Sequence, residues 1–191
     1  MELSLYEFVY RGQLADQALD ATGRAPYAAR DLKREDVADA LSLELFDKEL
    51  LESALAMSIV YAAIAAFEHS ARKFISRVLL DEFAEEWWEK GVSQKIRTFA
   101  EDRRDEELKT KWHGFRGADL LSYTELKHLS SIIQQNVTLF EPYIRTLDWV
   151  KSIFDPIERS RNVIMHSGHL DMADIERVGI LMRDWNKQVG L

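Results

Sequence analysis

"SALAMSIVYAAIAAF", residues 53 to 67, is fifteen residues without a charge, and Glu52 and Glu68 bound it. A membrane span needs about 20 apolar residues, so the run is short for that purpose. Ala62, Ala63, Ala65 and Ala66 put small side chains in its middle, which lets neighbouring helices approach closely. It reads as a buried core helix, capped by Asp47, running to about residue 82 and forming the central post of a bundle.

Outward from this post the same period continues. No stretch alternates strictly between apolar and polar with turn signals at both ends, and helical spacing appears almost everywhere. Proline is confined to Pro26, Pro142 and Pro156. Ser4 and Glu7 form a capping-box pattern ahead of a first helix that Gly12 bends, and Gly23 and Pro26 mark a turn. Residues 34–41 read as a short helix. Gly91 stops the segment "DEFAEEWWEKG", and Ser93 opens a charged helix through "QKIRTFAEDRRDEELKTKW". Ser122 and Glu125 form a second capping box, Gly168 fits the left-handed residue after a helix of about 146–166, and Asp171 caps the last helix. The expected fold is all-α: a helical bundle with a long central helix, in one domain. Residues 1–45 form an N-terminal helical extension and 46–191 the core bundle.

Bulk composition narrows the function classes. A chain of 191 residues with 47% hydrophobic and 30% charged side chains buries a core without staples. The absence of cysteine excludes disulfides, thiolate zinc sites and cysteine nucleophiles, and fits a cytoplasmic location. A net charge of −8 argues against a broad nucleic-acid coat, though a small basic cleft on an acidic body stays open. The start "MELSLYEFVYRGQ" lacks the pattern of a signal peptide, and no membrane partner is expected. No phosphate-binding glycine loop is visible, and His69 has no second ligand at a metal-site spacing. No cofactor is expected.

The chemistry gathers in "ERSRNVIMHSG", residues 158–168. On a helical wheel with Asp155 at the origin, His166 falls at about 20°, Arg159 at about 40° and Asn162 at about 340°. These four form one polar stripe, with Glu158 on its flank. Trp149, Val150, Ile153, Phe154, Ile157, Ile164 and Met165 cover the opposite arc, wide enough for cover from two directions. The second cover comes either from the same chain or from a second copy. Arg161 falls inside the apolar arc and therefore needs a partner. Glu68, one turn before Arg72 on the long helix, is one candidate; a ligand phosphate is another; a stem that snorkels to the polar stripe is a third. His166 sits in the last turn, where helix carbonyls favour imidazolium, a setting suited to proton transfer. A histidine and asparagine one turn apart at a helix end are, as a bland alternative, ordinary capping residues. Trp112, His113 and Arg116 in "KWHGFRG" form either a grip on single-stranded RNA or a packed loop with surface charges.

Arginine followed by asparagine and then, at four to six residues, histidine is the signature of the HEPN superfamily, and Arg161, Asn162 and His166 resemble it. "WWEKGV" at 87–92 and "YTELKHLSSIIQQNVTLF" at 123–140 extend the likeness to a subgroup found in a eukaryotic nuclear RNA endonuclease and in bacterial defence proteins. It covers about residues 50–170. The resemblance implies a metal-independent endoribonuclease, a toxin or anti-phage effector, working as a homodimer with the site at the interface. RNA supplies the 2′-hydroxyl nucleophile; His166 moves protons, Arg161 stabilises the phosphorane charge, and Asn162 orients the histidine or holds a phosphate oxygen. Arg159, Glu158, Trp112, His113 and Arg116 would contact substrate. The alternative is a non-catalytic dimerisation or nucleotide- or RNA-binding module. An antitoxin or operon-encoded regulator is the implied partner. HEPN toxins silenced by a nucleotidyltransferase carry tyrosine two residues after the histidine; Gly168 stands there, so that route of neutralisation lacks its hydroxyl.

Overall fold

The computed structural model describes residues 33 to 190. The Ser4–Glu7 box, Gly12, Gly23 and Pro26 lie outside them. The chain divides into two compact units, one ending at Leu51 and one running from Glu52. In the first, helix α1 spans Arg34–Ala40, followed by a 3₁₀ turn over Leu43–Leu45.

Helix α2 spans Lys48–Phe83. Asp47 caps it as expected, accepting the Glu49 and Leu50 N–H groups at 2.9 and 3.2 Å. A 3₁₀ turn, Ala84–Glu86, leads into α3, Trp87–Gly91. Then follow α4 (Gln94–Leu108), a 3₁₀ turn (Leu120–Tyr123), α5 (Leu126–Gln135), α6 (Val137–Phe140), α7 (Leu147–Met165) and α8 (Met172–Val189). No strand occurs among the described residues, and the all-α expectation holds.

The uncharged run of α2 lies in the core along one face only. Met57, Val60, Ile64, Phe67, Ala71, Phe74 and Val78 are buried at alternating steps of three and four, the seam of a helix packed along one stripe. Ala56, Ile59, Ala62, Ala63 and Ala66 on the other side are exposed. The uncharged run is wider than the seam. By length and composition the helical stretch Lys48–Gly91 could cross a membrane; its most apolar window has mean hydropathy 1.9 and is 22% buried.

Trp185 of α8 centres the core of the larger unit. It is fully buried and meets Phe67 and Phe74 of α2 edge-on, Phe154 of α7 at a tilt and Trp149 of α7 stacked. Aromatic pairs at such geometries contribute about 0.5–1.5 kcal/mol each beyond their buried area. Helices α5 and α8 both pack on α7, so Val150, Ile153, Phe154 and Ile157 are buried within this chain. The wide apolar arc is thus covered largely by the chain itself.

Three local readings change. The charged helix ends at Leu108 rather than Trp112, because Lys109 and Thr110 turn their N–H groups onto carbonyls three residues back. The cap of α5 is Glu125, not Ser122: the Glu125 N–H donates to His128 Nδ1 at 3.1 Å, while Ser122 lies in the preceding turn, held by Asp119. At the end of α7 the left-handed residue is Ser167 (φ 60), not Gly168. Ser167 N–H reaches the Ile164 carbonyl and Gly168 N–H the Val163 carbonyl, at 3.0 and 2.8 Å, the paired bonds of a Schellman turn. Gly168 is needed for closeness instead. A Cβ there would sit 2.6 Å from Val163 Cγ1 and 2.7 Å from its carbonyl oxygen. Gly168→Ala should therefore destabilise the fold by about 1–3 kcal/mol, the usual cost of overpacking, read as a lowered midpoint in thermal unfolding.

Candidate functional site

The C-terminal turns of α7 face two depressions. One is an open groove along the helix, lined by Asp155, Glu158, Arg159, Asn162, Val163 and His166. This brings together the polar stripe read from the sequence. His166 is exposed, and its ring meets no hydrogen-bond partner among the described residues. Both ring nitrogens are therefore open to a ligand. Asn162 does not orient it: the Asn162 amide oxygen instead faces Arg161 Nη1 at 3.4 Å.

The other depression is a cleft of about 450 Å³, walled by α2, α4, the segment before α5, and α7. Arg161 belongs here, beside Arg72, Arg103 and Arg116. Glu68 organises its floor. This buried carboxylate accepts Arg72 Nη2 at 3.2 Å and pairs with Arg161 Nε at 3.0 Å. Of the three partners left open for Arg161, the protein supplies Glu68. Arg72 is filled further by the carbonyls of Leu121 and Thr124, so it ties α2 to the segment leading into α5. The Arg161 side chain keeps 34% of its surface exposed, and its Nη2 finds no acceptor among the described residues.

Arg161 and His166 therefore open onto adjoining depressions rather than one, with Asn162 and Glu158 between them. Glu158 lines both. It is half-buried and has no hydrogen bond or ion pair among the described residues. Burial pushes its carboxyl above the usual range, against the charges of Lys127 and Arg161. The folded state thus binds this proton more tightly than the unfolded chain, and stability falls as pH rises through the shifted carboxylate range. Glu158→Gln removes the ionisation. It should melt above wild type near about pH 7 and converge with it in acid; equal melting at both ends of the titration would refute the assignment.

The aromatic loop does not form one clamp. Trp112 is 86% exposed, His113 lies by a separate small pocket with Gly114, and Arg116 turns into the arginine cleft. Two cleft residues were missed from the sequence. Arg103 and Glu125 pair at 2.7 Å although they stand 22 residues apart in the chain, and no local pattern joins them. Burial lowers the His128 imidazole below its ordinary value, in keeping with its role as acceptor at the α5 cap. Among the described residues no cluster of carboxylates and histidines could hold a metal ion.

No family model, curated protein or solved structure matches the chain.

Proposed function

We propose that the chain is a HEPN-type endoribonuclease that cuts RNA without a metal, as a cytoplasmic toxin or anti-phage effector under the control of an antitoxin or operon-encoded regulator. The observation that carries this reading is the end of α7: an exposed, unpartnered His166 one turn from Asn162, with Arg161 held by Glu68 at the edge of an arginine cleft. The 2′-hydroxyl of RNA attacks the adjacent phosphorus as His166 takes its proton. The Arg161 guanidinium balances the phosphorane charge. The 5′-oxygen leaves and is protonated, giving a 2′,3′-cyclic phosphate and a free 5′-hydroxyl. Two such sets act in a homodimer. Because the α7 arc is largely spent inside the chain, the exposed face of α2 around Ile59, which is 73% exposed, is the surface that suits a second copy.

Purified protein incubated with total RNA should generate those termini equally well with and without a chelator. Loss of cleavage in chelator and its return with magnesium would show different chemistry. A second reading, a non-catalytic RNA- or nucleotide-binding module, draws on the placement of Arg161 and His166 in separate depressions. It expects binding with no cleavage at any protein concentration.

A further inference from the structure

We propose that the arginine-lined cleft is a second phosphate subsite, holding the RNA nucleotide that flanks the one lying in the His166 groove. The proposal rests on the RNA reading above. Besides Arg161 of α7, assigned above to the scissile phosphate, two guanidinium groups from separate segments reach this cleft: Arg103 from α4 and Arg116 from the segment after it. Each is fixed by a single carboxylate. Arg103 Nη2 pairs with Glu125 at 2.7 Å, Arg116 Nε with Glu107 at 2.7 Å, and Arg161 Nε with Glu68 at 3.0 Å. Arg103 also lies over the Phe99 ring at 4.5 Å.

A guanidinium carries five N–H donors in a planar fork, and one carboxylate does not use them up. Nε and Nη1 of Arg103, both terminal nitrogens of Arg116 and Nη2 of Arg161 meet no acceptor among the described residues. These donors are of the kind that grips phosphate oxygens bidentately. Because the side chains are already held, less rotamer freedom is lost when an anion arrives. Four arginines against Glu68, Glu125 and Glu158 line the cleft, a formal excess of one positive charge on a chain of −8. Burial makes the Glu158 carboxyl harder to ionise.

The remaining wall suits a base. Tyr61 and Met165, 39% and 52% exposed, line the same cleft; an aromatic ring at a nucleic-acid site stacks on any base without demanding a sequence. A volume of about 450 Å³ is in the range of small-ligand sites. Arg161 and His166 lie about 7–8 Å apart along the helix axis at 1.5 Å per residue, so one strand crossing α7 can meet both.

The test is binding of a short 2′-O-methyl RNA, which has no free nucleophile, measured by fluorescence anisotropy across a salt series. Removing one phosphate contact from a single strand lowers the slope of log K against log salt by about 0.7. Arg103→Ala and Arg116→Ala should each flatten the slope by that amount. Arg104→Ala, which removes a charge paired with Asp105 outside the cleft, should leave it unchanged. Arg116 is half exposed, so its variant keeps the proposal testable even if Arg103→Ala melts early. Adenosine monophosphate should not displace the oligomer; displacement at micromolar concentration would make the cleft a free-nucleotide site and overturn the proposal. Unchanged slopes beside intact cleavage of ordinary RNA would overturn the subsite alone. Flattened slopes with no cleavage would sink the nuclease reading and keep the subsite. A wild-type chain that binds no RNA would end both.

Discussion

His166→Ala is expected to lose RNA cleavage by at least about 100-fold, the lower end of what a positioned proton-transfer group supplies, while melting at the wild-type temperature. The two halves of this expectation have separate sources. The activity loss follows from the proposed chemistry, in which no other imidazole lines the groove. The unchanged melting follows from geometry: the side chain is exposed and makes no hydrogen bond among the described residues, and the helix end is closed by main-chain bonds of Ser167 and Gly168 rather than by the ring. A variant that cuts RNA like wild type removes His166 from the mechanism. Arg159→Ala is the matched control on the same groove, and it should weaken RNA binding while keeping measurable turnover.

Glu68→Ala is expected to be the most destabilising single change at the site. It strips the shared carboxylate from both Arg72 and Arg161, whose side chains are 16% and 34% exposed. Breaking a buried pair costs about 3–5 kcal/mol. Arg161 keeps about a third of its surface in water, so screening reduces the figure to about 2–3 kcal/mol. A drop of roughly 5–10 °C in melting temperature follows for a domain of this size. Activity should fall as well, because Arg161 loses the anchor on its Nε. Arg161→Ala leaves Glu68 paired with Arg72 alone, so it should lose cleavage with a smaller drop in melting. Glu68→Gln keeps an acceptor for one arginine and should recover part of the stability but little of the rate. If Glu68→Ala melts like wild type, the ion-paired floor of the cleft is not formed in solution.

Helix positions were readable where the signal is local. Asp47 and Asp171 cap their helices through side chains that accept N–H groups two or three residues on, and such bonds depend on adjacent residues alone. The polar stripe of α7 was readable for the same reason, since one helix fixes the mutual angles of Asp155, Arg159, Asn162 and His166. What stayed hidden depends on neighbours distant in the chain. An uncharged run gives no sign of how many partners will cover it, and the face of α2 with Ala56, Ile59, Ala62, Ala63 and Ala66 is exposed. The Arg161 position in the apolar arc announces a need for a partner and leaves Glu68, a ligand phosphate or the polar stripe as the choice. It did not reveal that α2 would draw the guanidinium away from the His166 groove. A glycine after a helix suggests left-handed backbone, whereas Gly168 is required by the Val163 side chain and carbonyl pressed against it.

The distribution of indoles gives the molecule a built-in pair of optical reporters. Trp149 and Trp185 stack at 5.7 Å, their planes 10° apart, close enough for their transitions to couple across the α7–α8 contact. Trp185 is wholly shielded, whereas Trp112 stands almost bare beside the segment that delivers Arg116. A water-soluble quencher therefore silences Trp112 first and leaves the core emission standing. Loosening of the interior is then read as the spread of quenching from Trp112 to Trp185.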